Sequence, residues 1–296
     1  MHAPIGGFQS VSNAFGRLAV DCGVEIRYDK TVTAIDKDCV WYLDQKSGKK
    51  EKITSQVTLV NADLPFATKS LLDHCDHDDP SDIDPKYDWE DKFDFSSGVI
   101  AFHWSVKKTC DALNTHNVFL SCGTRDTATS SWSAVRDNDP SVLQGFSKDQ
   151  PFNFYVHRAS ASDSTAAPSG CDSIMVLVPC CTLQHERSFG PLPRSECIKK
   201  YKSQFSDSII AEVRGAVLRR LSVLDELSEL DCSIIDEVIE TPGNYADLYN
   251  LAAGTPFALV CTLMSSNETV ASKRNSILLT LRNTESWLRT TKCYET

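Results

Sequence analysis

Between Phe152 and His157 apolar and polar positions alternate. Phe152, Phe154 and Val156 fall on one side and Asn153, Tyr155 and His157 on the other, which predicts a half-buried strand. A small polar loop, 159–167, and a Pro168-Ser169-Gly170 turn follow. The run Ile174–Val178 is apolar without alternation, which predicts a strand covered on both faces of a mixed sheet. Near the N-terminus, Val11, Ala14, Phe15, Leu18 and Ala19 recur at helical spacing, and Gly23 suits the left-handed cap behind them. Short β-rich runs predict strands at 24–28, 31–35, 53–60, 98–106, 117–121 and 234–239, with a charged hairpin tip at 46–50. A short helix is predicted over 65–72. A longer one is predicted over 196–221, with Ile198, Tyr201, Phe205, Ile209, Val213, Val217 and Leu221 on its apolar stripe. The acidic stretch 73–94 reads as a crossing between domains.

Composition narrows the function classes. The chain has 296 residues, enough for two domains, and a net charge of −10 with no basic stripe, which argues against nucleic-acid binding. Its longest apolar runs are too short for a membrane-spanning helix. Met1–Pro4 has neither a basic nor an apolar region of a secretory leader, so an intracellular protein is expected. The 12 cysteines are scattered and never fall as C-x-x-C, which predicts reduced thiols. The H-x-x-H spacing at His74 and His77 sits in the acidic loop and reads as solvated surface, so no metal site is expected. No G-x-S-x-G, H-E-x-x-H or G-x-x-x-x-G-K-[ST] pattern occurs, and no catalytic residue is identified from motif.

The order of letters is more specific. The stretch from Tyr155-Val156-His157 through Thr165-Ala166-Ala167-Pro168 to Asp172-Ser173-Ile174 and Val176-Leu177-Val178-Pro179 closely resembles the bacterial and fungal phytoene desaturases. So do Gly6-Gly7, Gly23-Val24-Glu25-Ile26-Arg27, Val32–Ile35, Asn61-Ala62-Asp63-Leu64-Pro65, and Thr241-Pro242 with Tyr249–Ala252 and Gly254–Leu259. The resemblance covers residues 4–259. It implies an α/β fold: part of an FAD-binding, Rossmann-like domain at 1–70 with a parallel sheet, and a mixed-sheet substrate domain with helices at 71–259. The reaction it implies is FAD-dependent desaturation of a carotene. FAD would meet the backbone of Val32 by its adenine, Asn61 and Ala62 by its ribose and pyrophosphate, and Gly6 and Gly7 by a close backbone approach. By residue type alone, Val32 and Ala62 read as core and Gly6-Gly7 as a turn. The long apolar polyene substrate would be lined by Phe102, Trp104, Phe154, Tyr155 and His157, each of which also suits an ordinary core or surface. His103 and His157 are the histidines on family-like strands.

Two departures stand out. The dinucleotide phrase G-x-G-x-x-G is absent from the sequence, so its backbone donors and helix N-terminus are not provided. Residues 260–296 resemble nothing in the family, although Ile277, Leu278, Leu281, Trp287 and Leu288 suit a helix, and a misread coding boundary accounts for them equally well. The chain therefore reads as a fragment of an FAD-dependent oxidoreductase, and by itself it is expected to be inactive. A carotenoid isomerase and a non-catalytic escort for prenyl chains share the wider superfamily and stand as alternatives. Transfer of about forty carbons from water would release ~30 kcal/mol at roughly 0.8 kcal/mol per methylene. That exceeds the affinity ceiling of about 18–21 kcal/mol, so the substrate is expected to come from a bilayer and the protein to contact a membrane peripherally.

Overall fold

In the computed structural model the described residues are 4–72, 95–120, 123–137, 139, 141–147, 150–183, 194–204 and 206–257. They belong to one compact unit, Met1–Val260. In chain order they form α1 (Gly7–Asp21), β1 (Lys30–Ile35), β2 (Cys39–Asp44), β3 (Lys50–Thr54), α2 (Leu64–Ser70), β4 (Gly98–Val106) and β5 (His116–Phe119). There follow α3 (Arg125–Arg136), α4 (Ser141–Ser147), β6 (Phe154–Arg158), β7 (Asp172–Cys180), α5 (Arg194–Gln204), α6 (Asp207–Leu221), β8 (Ile234–Glu240) and α7 (Pro242–Tyr249). The acidic stretch with His74 and His77, Phe205 and the tail from 260 onward lie outside the described residues.

The strands make two sheets. β1, β2 and β3 form an antiparallel meander, and five strands pair in the order β5-β6-β7-β4-β8. The α/β class stands, but both sheets are antiparallel rather than parallel or mixed. The meander's connections are short hairpins, and a parallel neighbour needs a crossover of roughly a dozen residues or more. Residues 24–28 find no partner strand, and 55–61 leave the sheet after Thr54, so neither expected strand extends there.

The larger sheet is built on β4 and β7, which pair along their full length from Gly98↔Cys180 to Val106↔Asp172. On β7 the even positions Ile174, Val176, Val178 and Cys180 are buried, and the odd positions are half-buried. The apolar run thus has one covered face and one partly open face, not two covered ones. The buried face packs on α5 and α6 through Tyr201, Val213, Ala216, Val217 and Leu221. These two helices replace the single predicted one; Ser206 is the N-cap position of α6, with extended backbone. Full burial of each valine or leucine among them contributes about 1.5–3 kcal/mol.

A smaller core joins the meander to α2 through Ile35, Ala67 and Leu71, with Ile35 N–H donating to the Leu71 carbonyl at 2.8 Å. Among the described residues Cys22, Cys39, Cys110, Cys171, Cys180, Cys181 and Cys232 carry free thiols. Burial pushes the Cys181 thiol up to about 12, which leaves it inert.

Candidate functional site

Strand register fixes what shares the open face of the larger sheet. One row runs Val118, Tyr155, Leu177, Ala101, Glu240 from β5 to β8, and the next runs His116, His157, Met175, His103, Val238. Side chains alternate along a strand, so these positions point away from the helix-covered core. Tyr155, His157, Met175, Leu177 and His103 are half-buried, and Val118 and Val238 are exposed. The face is apolar with a seam of imidazoles.

At its β5–β6 edge the Tyr155 hydroxyl hydrogen-bonds His116 Nδ1 and lies 3.5 Å from His157 Nδ1. The His116 and His157 rings sit 5.1 Å apart between centroids. Burial raises the Tyr155 pKa, and burial lowers that of His157, partly offset by a hydrogen bond to the Thr115 backbone. A neutral phenol beside a neutral imidazole can accept a proton at nitrogen and pass it along the set. On the other side of the face, His103 Nε2 is 3.2 Å from Glu240 Oε2.

The five expected substrate-lining residues divide between the two faces. Tyr155 and His157 lie on the open face. Phe102, Trp104 and Phe154 lie in the core beneath it, Phe154 stacked on Phe119 and Trp104 donating its indole N–H to Glu237 Oε1 at 2.5 Å. The guanidinium of Arg214 sits over the Trp104 ring and donates to the same carboxylate at 2.8 Å. His116 completes the hydrogen-bonded set without having been singled out; its signal was a histidine next to the Asn117–Ser121 run.

The residues expected at FAD lie at the start of α1, on β1 and just ahead of α2. Gly6 and Gly7 both have positive φ, 82° and 67°, at the start of α1, where glycine avoids strain. The Gly6 N–H donates to Asp163 Oδ2 at 2.7 Å, so the carboxylate of the β6–β7 loop occupies this helix N-terminus. Hydrogen bonds from Thr165 and from the Gly6 backbone hold the Asp163 carboxyl below its ordinary range. Val32 is partly exposed on β1, beside a shift in register after it. Asn61 and Ala62 lie exposed ahead of α2.

Their neighbour Asp63 is the anchor of that phrase. Its Oδ1 accepts from Phe66 N at 3.0 Å, capping α2, and from Ala252 N at 3.3 Å. With the Asp163 carboxylate at the N-terminus of α1, that helix end does not fit a pyrophosphate. Among the described residues no cluster of three or more His, Cys, Asp or Glu side chains is placed to hold a metal ion.

No protein-family model matches the chain. It is 28% identical over 284 residues to the phytoene desaturase of Fusarium fujikuroi, covering 88% of this chain and 43% of that protein. It is 26% identical over 277 residues to the neurosporene-forming phytoene desaturase of Rhodobacter capsulatus, covering 90% and 45%. The zeta-carotene-forming phytoene desaturase of Myxococcus xanthus is 25% identical over 257 residues, covering 86% and 42%. This chain is a relative of the phytoene desaturases. It spans less than half the length of these phytoene desaturases, and it matches fungal and bacterial ones alike.

Proposed function

We propose that this chain carries the substrate half of a carotene desaturase, with the open face of the five-stranded sheet set against the polyene. The observation that carries the reading is the match across about nine-tenths of the chain to proteins named phytoene desaturase. The face suits that substrate: Leu177, Met175, Val118 and Val238 offer hydrocarbon, and Tyr155 stacks beside it. Desaturation removes a hydride from one carbon and a proton from its neighbour. By resemblance, the two-electron acceptor of the whole protein is FAD. What this chain's own residues supply is the apolar bed and, at Tyr155 and His157, groups able to receive and relay the proton.

Phe102, Trp104 and Phe154 support the bed from behind. The matched relatives carry desaturase names, which disfavours the isomerase and escort alternatives. No helix among the described residues is long and apolar enough to cross a membrane. Peripheral contact with a bilayer, inside the cell, fits a substrate that dissolves only there.

Production of the whole desaturase that contains this chain, in bacteria that accumulate phytoene, tests the reading. The expected result is loss of phytoene and new, more conjugated carotenes by absorbance. Unchanged phytoene in cells holding folded protein, with FAD supplied, would contradict it.

A further inference from the structure

A second apolar site lies at the end of the sheet where β6 begins. α3 and α4 stand against this end and enclose, with residues 150–153, a cleft of about 320 Å³. Its walls are Trp132 and Val135 from α3, Val142 and Phe146 from α4, and Phe152. Phe146 and Phe152 meet edge-to-face with centroids 4.9 Å apart. Trp132 keeps 56% of its surface exposed despite its size. The polar remainder of the described lining is hydroxyl and amide, Ser131 and Asn153 among it. None of it is ionisable, in a chain in which 24% of residues are charged.

Among the described residues, Arg220 stands beside the cleft through its contact with Phe152. The Arg220 guanidinium lies over the Phe152 ring at 4.2 Å and donates to the carbonyls of Gln150 at 2.9 Å and Ala216 at 3.0 Å. Gly145 makes room for Gln150: a β-carbon there would come within 2.9 Å of Gln150 Oε1.

A cleft whose described lining is aromatic and uncharged rewards hydrocarbon and penalises ions, because a desolvated ion would find no partner among those residues. Its volume lies at the lower end of the roughly 300–1,000 Å³ typical of ligand sites, which suits a chain segment better than a whole carotene. Asn153 of its lining lies about 13 Å from His157 at roughly 3.3 Å per residue, beyond the imidazole seam, and Pro179 lies about 7 Å past Leu177 on β7, so the cleft adjoins the end of the open face. We propose that this cleft binds an uncharged hydrocarbon chain, either the end of an isoprenoid or the acyl chain of a lipid. The proposal does not depend on the desaturase reading.

Titration of the full chain with diphenylhexatriene, an uncharged polyene that fluoresces in apolar surroundings, tests it. Saturable emission is expected, with energy transfer from tryptophan that falls sharply in Trp132→Phe. Ala134→Phe, which fills the cleft, and Ser131→Glu, which places a charge at it, should each weaken binding at least tenfold. Leu177→Glu on the open face should leave the Trp132-dependent energy transfer in place. Circular dichroism selects the variants that fold, and either cleft variant suffices. Competition by squalene delivered from cyclodextrin points to an isoprenoid, and competition by hexadecane alone points to an acyl chain. Binding undiminished in a folded cleft variant, transfer unaffected by Trp132→Phe, or competition by neither hydrocarbon overturns the proposal.

Discussion

His157 sits where a neutral imidazole is favoured, since burial lowers its pKa and the nearby His116 adds to the effect. Its folded value therefore lies below the unfolded value of about 6.5. Between the two the unfolded chain binds the proton first, so stability declines as the pH falls below about 6.5 and the loss is complete below the folded value. His157→Gln removes that difference. Its melting temperature should fall less than the wild type's between pH 8 and 5, and equal slopes would show that His157 is not the source. Asp163 has the opposite role: its depressed carboxyl stabilises the docked loop at neutral pH and loses that contribution as acid protonates it. The Asp163 contact with α1 was not legible in the sequence, because it joins residues 157 positions apart through one hydrogen bond.

Among the elements, the strands of the larger sheet were the most legible. The alternation at Phe152–His157 gave the face of β6, and the structure buries Phe152, Phe154 and Val156 together. β4 misleads because Gly98–Phe102 is buried throughout, hiding its period; His103 and Ser105, the polar positions, mark its open side. For that reason Phe102 and Trp104 were grouped with Tyr155 although they face the opposite way. α3 was missed because its serines and threonines favour helices weakly, and its cap, Thr124 accepting from Thr127 N at 3.2 Å, is a common pattern in loops too. α7 carries a clearer signal, Thr241-Pro242 with Asn244 closing a capping box. Behind α7, Gly254 adopts a φ of +66°, and a β-carbon there would come within 2.3 Å of the Pro242 carbonyl oxygen. Gly254→Ala should cost about 1–3 kcal/mol in denaturant unfolding, from overpacking and a left-handed backbone. A loss under about 0.5 kcal/mol would mean that the turn relaxes freely.

Across the molecule, apolar surface is distributed unevenly. The core lies between the larger sheet and α5–α6, whereas α1 buries no residue and leaves Phe8, Phe15 and Leu18 at 83%, 67% and 56% exposure. The stripe that predicted this helix is real, but the described residues do not cover it. A helix held by so little packing opens locally, so α1 amides should exchange with deuterium well ahead of those in β4 and β7. Equal protection would mean that something covers the stripe in solution.

The central claim is that the open face of the five-stranded sheet meets the polyene. The direct test is photo-cross-linking with a diazirine-bearing carotene analogue, followed by mapping of the labelled residues by mass spectrometry. Label is expected on Tyr155, Met175 and Leu177, with label on α3 or α4 reporting the second cleft. Efficient labelling that spares all three open-face residues would contradict it.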